Sequence, residues 1–308
     1  MILVGCESLI DFVPVRSDSG MDAYRPVVGG GNLNIAVAAG RLGVPVAFIG
    51  GVSSDPFGEM IVEHLRESNV DVARVTRSAR QTTLAFVKYI DKQARYMFYD
   101  EASAGRMWRF DSKAVPLAGV DLLHIGSTTL INEPVSGETK RMAEALRAKA
   151  TIAIDPNCRP AMTPDPAAYR KRIAELMALS DIIRVSVEDL DYLRPGSTAE
   201  AAAADWLKGG AAVVIVTDGG AGATAYTKSS RMHRPALKVE VVDTIGAGDT
   251  FHAAFLVNLY EAKVIPREKL RALTEKEIGP ALEFAAQAAA ITCSRPGADP
   301  PWRREMPV

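Results

Sequence analysis

Apolar positions along the chain fall into two rhythms. Residues 2–4, 46–50, 122–125, 151–155, 182–185 and 213–217 are short, nearly continuous apolar runs. Runs of that length suit strands buried on both faces. Residues 57–68, 136–149, 166–179, 198–208 and 280–293 carry the spacing of helices with one apolar side. Residues 250–259 hold neither Gly nor Pro and are largely apolar, which predicts a buried helix. This alternation predicts an α/β fold, with a mostly parallel sheet sandwiched between two helix layers.

A second rhythm interrupts the first. Residues 12–16 and 24–28 read as a polar-edged hairpin around residues 17–22. Residues 82–90 and 95–99 alternate, are rich in β-branched and aromatic residues, and flank a turn at 91–94. These hairpins are assigned to a small separate β-sheet, a lid made of segments about 12–28 and 82–100. The expectation is one domain over residues 1–308, without internal repeats or low-complexity tracts.

Two glycine-rich turns stand out. G-G-G-N-L-N, residues 29–34, opens a helix of small residues ending near Gly43. D-T-I-G-A-G-D-T-F, residues 243–251, feeds the helix at 250–259. Gly246 and Gly248 can take backbone angles closed to other residues and let a ligand come close. The amides of Gly246, Ala247 and Gly248 would then lie at a helix N-terminus without intrahelical partners, an anion site suited to phosphate. Asp249 sits where a carboxylate meets that phosphate. Such a costly placement suits a base that takes a proton from an attacking hydroxyl. A bare G-x-G-D is more often a turn with a capping Asp; the longer string is far more specific. Asp11, just past the first strand, and Asn34, at the start of its helix, could together grip vicinal hydroxyls.

Bulk properties narrow the choice. The chain is 308 residues long, 48% hydrophobic and 24% charged, enough for a sizeable core. A net charge of −1 with no basic run disfavours nucleic acid as a partner. No apolar run reaches bilayer length. The N-terminus reads directly as a strand, with no signal-peptide pattern. Cys6, Cys158 and Cys293 are far apart and read as reduced thiols, which suits the cytoplasm. His64, His124, His233 and His252 form no metal-ligand spacing. There is no Walker A motif and no G-x-G-x-x-G, so P-loop and dinucleotide-binding enzymes are disfavoured.

D-T-I-G-A-G-D-T-F resembles the second signature of the ribokinase-like (PfkB) family of carbohydrate kinases, usually D-T-x-G-A-G-D. Gly29 and Gly30, with Asn34 four residues after the second, resemble the first signature, and C-E-S-L-I-D-F-V-P is similar to the opening of fructokinases. The likeness covers roughly residues 2–298. It implies ATP-dependent phosphorylation of a sugar hydroxyl, with Asp249 as base and Gly246, Ala247 and Gly248 as the anion hole. Asp11, Gly29, Gly30 and Asn34 are implied sugar contacts. R-Y-M-F-Y-D, residues 95–100, resembles a lid segment that covers the sugar, which implies a contact from Tyr99. Many members have Arg where this chain has Asp100, and ketodeoxygluconate kinases use that Arg for the substrate carboxylate. Asp100 therefore favours a neutral sugar, fructose first.

D-P-N-C-R-P, residues 155–160, implies that Asn157 and Arg159 face substrate or phosphates, and Arg159 keeps an anionic substrate open. Ser186-x-x-Asp189 stands where many members have Asn-x-x-Glu acting on Mg²⁺ through water, with Glu188 as the neighbouring alternative. Ser186, Thr217, Gly219, Gly222, Gly297 and Ala298 are implied nucleotide contacts. Asp243 and the loop after Cys293 imply a monovalent cation such as K⁺. ATP and Mg²⁺ are the implied cofactors, and an apolar lid surface points to a homodimer. Ketodeoxygluconate, tagatose 6-phosphate, ribose and nucleosides remain open as acceptors. A binding protein without turnover is the alternative of another class, and the intact Asp249 turn argues against it.

Overall fold

Side chains of the first strand part company along its length: Ile2 and Val4 enter one core, Leu3 the other. That period of two is what a strand buried on both faces requires. The computed structural model describes residues 1–90, 93–113 and 116–307. Of the turn expected at 91–94, residues 91 and 92 lie outside the described residues.

In chain order the elements are β1 (Ile2–Gly5), β2 (Leu9–Arg16), β3 (Asp22–Gly29), α1 (Gly31–Arg41), β4 (Val46–Ser53), α2 (Pro56–Glu67) and β5 (Asp71–Ser78). Then come β6 (Leu84–Ile90), β7 (Gln93–Tyr99), β8 (Leu122–Gly126), α3 (Val135–Leu146), β9 (Thr151–Asp155), α4 (Pro166–Leu179), β10 (Ile182–Ser186) and α5 (Val187–Leu193). The chain closes with α6 (Ala199–Lys208), β11 (Val213–Asp218), β12 (Gly222–Tyr226), β13 (Arg231–Arg234), α7 (Ala247–Glu261), α8 (Arg267–Leu270) and α9 (Glu275–Cys293).

Among the described residues the strands form two sheets. The large one has nine strands in the order β13-β12-β11-β10-β9-β8-β1-β4-β5. It is parallel throughout except at β11–β12 and β12–β13. Helices α1, α2, α7 and α9 cover one face and α3, α4, α5 and α6 the other. Helix α7 is buried from Asp249 to Val257 and packs between α1 and α9. A helix that is apolar all round belongs in such a place. Truncating fully buried Phe255 to Ala would cost about 3–5 kcal/mol.

The small sheet has four strands in the order β3-β2-β6-β7, as the hairpin pattern predicts. Strand β2 begins buried at Leu9 and Ile10 and ends exposed at Arg16, so it leads out of the core into the lid. Register divides the lid into two faces. Asp11 pairs with Val27 and Ala85, and Ala85 pairs with Phe98. Phe12 pairs with Phe86, and Leu84 pairs with Tyr99, which puts Phe12, Phe86 and Tyr99 on the opposite face from Asp11. Ring contacts agree: Phe12 stacks on Phe86 at 4.7 Å, and Phe86 meets Tyr99 edge-on at 5.6 Å.

Three features differ from the sequence expectation. β5 is an edge strand whose charged residues hide its period; Val72 and Val75 turn inward. β12 and β13 close the other edge as an antiparallel pair. Helix α9 starts at Glu275, not at Pro280, because Thr274 and Glu277 form a capping box. Pro280 lies inside the helix, where the carbonyl it leaves free belongs to exposed Lys276.

Candidate active site

The start of α7 is a glycine turn with unusual demands. Its N-cap, Gly246, has φ 74°, and a Cβ there would lie 2.6 Å from the Ala298 Cβ. A Cβ on Gly248 would lie 2.9 Å from the Arg184 Nη2. No side chain caps this helix end. The Ala247 amide makes one long bond, 3.3 Å, to the Thr244 carbonyl.

Asp249 is the third residue of α7 and is buried. Its Oδ2 accepts from the Asn34 Nδ2 at 2.8 Å, and its Oδ1 from the Asn157 Nδ2 at 3.4 Å. Burial pushes its pKa up; the Asn34 hydrogen bond, Arg159 and Arg184 pull against that, while Glu7 adds to it. A carboxylate held at a raised pKa is a stronger base than a free one.

Asn34 reaches Asp249 because α1 also begins on a glycine, Gly30 at φ 112°, and packs against α7. It lies in the first turn of α1 and does not cap it. Asn157 stands at φ 42° just beyond β9, and a Cβ on Gly31 would come within 2.7 Å of its Nδ2. The Arg159 Nη1 donates to the Asn157 Oδ1 at 2.6 Å and to its carbonyl at 3.0 Å. Asp11 lies against Gly29, where a Cβ would sit 2.3 Å from its Oδ2. Burial raises the Asp11 pKa to about 7, Glu7 adds to the rise and Arg159 opposes it. Two glycine turns, two amides, two carboxylates and one guanidinium thus converge at the carboxyl ends of β1 and β9.

A cleft of about 510 Å³ lies alongside, over the carboxyl ends of β10 and β11. Ser186, Thr217, Gly219 and Gly222 line it, with Gly248 at one end and Val239, Val241 and Ala289 as apolar wall.

The model of the "pfkB family carbohydrate kinase" matches residues 7–304. The chain belongs to this family. It is 39% identical over 280 residues to a fructokinase of Rhizobium leguminosarum bv. trifolii, covering 90% of this chain and 85% of that one. It is 35% identical over 307 residues to probable fructokinase-2 of Arabidopsis thaliana, covering 96% and 90%. The crystal structure of a fructokinase with bound ATP from Xylella fastidiosa superposes with a TM-score of 0.87 at 27% identity, covering 99% of this chain and 94% of that one. As a pfkB-family carbohydrate kinase, the protein is a phosphotransferase with an alcohol acceptor.

Within this kinase the structure gathers Asp11, Gly29, Gly30, Asn34, Asn157, Arg159 and the Gly246–Asp249 turn into one place. Tyr99 is not among them: it is 59% exposed on the lid face away from Asp11, and Phe98 shares the Asp11 face. Gly297 and Ala298 back the Gly246 turn; they do not line the cleft. Asp243 ties that backing together, accepting from the amides of Ile245 at 3.0 Å and Gly297 at 2.9 Å. The Cys293 carbonyl accepts from the amides of Val242 and Asp243. Asp189 accepts from the Ser186 hydroxyl at 2.9 Å and amide at 3.2 Å, and from the Cys158 amide at 2.7 Å. Among the described residues no group of three or more His, Cys, Asp or Glu could hold a metal ion, and no helix is long and apolar enough to cross a membrane.

Two residues without an expected role stand inside the site. Arg184 is buried, bonds Asp155 at 2.8 Å and Thr217 at 2.6 Å, and its guanidinium occupies the space a Cβ on Gly248 would need. The signal for it is a lone arginine inside the apolar run I-I-R-V-S. Glu7 is 5% exposed and takes hydrogen bonds from Ser127 (3.0 Å), Thr128 (2.5 Å) and the Asn32 amide (3.2 Å). Its signal is a glutamate in the opening strand–turn segment, C-E-S.

Proposed function

We propose that this kinase moves the γ-phosphoryl group of ATP to a primary hydroxyl of a neutral sugar, with D-fructose as the main acceptor. The observation that carries the reading is Asp249, buried at an uncapped glycine-opened helix start and held by amides from two other elements. Asn34 and Asn157 orient the carboxylate, and burial raises its basicity, so it can take the hydroxyl proton as the new bond forms. Asp11 and Asn34 hold neighbouring hydroxyls, one accepting and the other donating. The helix start and Arg184 favour the negative charge of the phosphates. The named fructokinase relatives support the choice of sugar.

The cleft suits the nucleotide. Its apolar wall can take a base, and at its phosphate end Arg184 has a buried Nε without a partner among the described residues. The described residues give Mg²⁺ no direct cage of carboxylates. Ser186 and Asp189 would hold Mg²⁺ through water, beside the phosphates. When bound, the ion would supply charge neutralisation on the phosphates. A K⁺ ion beside Asp243 would find both carboxylate oxygens already accepting amides, and it carries no step here. Residues 1–308 act as one kinase domain in the cytoplasm, and the aromatic outer face of the lid supports a homodimer.

The test is ADP release coupled to a dye, screened over fructose, other hexoses, pentoses, ketodeoxygluconate and nucleosides. Fructose should give the highest kcat/KM. ADP release that no sugar stimulates would sink the reading.

A further inference from the structure

Glu7 borders a second, much smaller space on the lid side of the site. That pocket, about 20 Å³, is lined by Glu7, Ser8, Thr83, Asp100, Arg106 and Thr128, among others. It has room for about one water molecule. Asp100 follows directly on β7, where the lid rejoins the body, and Arg106 lies in the turn after it. The Arg106 Nη1 donates to the Asp100 Oδ1 at 3.3 Å, and its Nε to the Glu133 carbonyl at 3.3 Å. The backbone fixes this turn independently of the pair: Ser103 Oγ accepts from the Arg106 amide at 3.1 Å and from the Thr83 hydroxyl at 2.8 Å. The two charged side chains are 18% and 25% exposed, so both are partly removed from water.

Three charges therefore face one small space. Two are carboxylates, Glu7 and Asp100, and one is a guanidinium already bound to Asp100. A neutral, hydroxyl-bearing end of a substrate meets acceptors and donors there. A carboxylate or phosphate meets two like charges and a cation that has no surplus charge to offer.

We propose that Asp100 and Arg106 form a charge-selective end wall of the acceptor site, in which Asp100 masks Arg106 and so rejects anionic sugars. The inference rests on the reading that the acceptor lies between Asp11, Asn34 and Asp249. Selection here works by an introduced repulsion as much as by attraction to the favoured substrate. The masked Arg106 is a latent anion site, and one neutralising substitution exposes it.

The experiment compares kcat/KM for fructose and for ketodeoxygluconate in wild type, Asp100→Asn, Arg106→Gln and the double variant. Asp100→Asn keeps the size of the side chain and removes its charge. Its ratio of ketodeoxygluconate to fructose should rise at least about 10-fold, mainly through KM for the acid, since close charge contacts are worth that much. The double variant should lose the gain, because the exposed cation is gone. Arg106→Gln alone should lower the ratio below that of wild type, and it serves as the deciding variant if Asp100→Asn does not fold. A ratio within two-fold of wild type in Asp100→Asn, or in Arg106→Gln where Asp100→Asn does not fold, overturns the end wall and leaves the kinase reading standing, provided that variant is active on fructose. Wild type that phosphorylates no sugar overturns the kinase reading, and the end wall falls with it.

Discussion

Helices α5 and α7 begin alike and end up with different tasks. Both carry an aspartate at the third helical position, Asp189 and Asp249, and both open beside the same cleft. In α5 the residue before the helix is Ser186, and Asp189 folds back onto its hydroxyl and amide in a capping box. In α7 the residue before the helix is Gly246, which has no side chain to exchange with. Asp249 turns outward instead and is held by Asn34 from α1 and Asn157 from the loop after β9. Asp189 gives one oxygen to its own turn and the other to the Cys158 amide at 2.7 Å, so backbone amides fix both. Asp249 accepts from two side-chain amides and, among the described residues, makes no bond within its own turn.

The largest effect expected from this contrast is at Asp249. Asp249→Asn should fold and bind both substrates while kcat falls about 10²–10⁴-fold, the usual weight of a positioned base. Its melting temperature should stay close to wild type, since Asn is also tolerated at a helix start. A kcat within a few-fold of wild type would make Asp249 a cap like Asp189.

Asn34→Ala comes next. It deletes a 2.8 Å hydrogen bond to a charged group, worth about 1.5–3 kcal/mol, so kcat should drop about 10–100-fold. That bond holds the Asp249 pKa down, so its loss should also move the acid limb of the kcat profile to higher pH. A slower enzyme with an unmoved acid limb would show that Asn34 does not act through Asp249.

Asp189→Ala should reverse the pattern. Losing the capping box costs about 0.5–2 kcal/mol of stability, seen as a lower melting temperature, with kcat changed far less than in Asp249→Asn. A collapse in kcat without a change in melting temperature would place Asp189 in the chemistry.

The smallest effect is a pH dependence at Asp11. Its folded pKa, about 7, exceeds the ordinary 3.8, so the folded state keeps an extra proton between those values and stability falls as pH rises through them. Asp11→Asn should therefore raise the melting temperature at pH 8, and raise it less at pH 5, while KM for the sugar increases. Equal melting shifts at both values would mean that Asp11 is not held at a raised pKa.

The parts of the site that sequence revealed are the local ones. D-T-I-G-A-G-D carries its own turn, and G-G-G-N-L-N its own helix start, so both could be read within a few residues. The separate lid was legible because its alternation clashes with the strand–helix rhythm. Side choice was not. Whether Tyr99 or Phe98 faces Asp11 depends on the pairing of Leu84 with Tyr99 and Ala85 with Phe98, a register set between distant segments. Arg184 was equally hidden, because its partners Asp155 and Thr217 come from neighbouring strands. Asp189 looks the same in sequence whether its oxygens turn inward or outward.

The course of β2 has a kinetic consequence. One strand carries Asp11 at its root and ends in the outer lid at Arg16, so acceptor and cover are mechanically one piece. A sugar gripped at the root orders the strand above it, and that strand is paired on both sides along its first half. Nucleotide arriving first finds the cover unbraced. Initial-rate patterns should then show sugar adding before ATP, and a dead-end sugar lacking the reactive hydroxyl should compete with fructose while lowering the apparent KM for nucleotide.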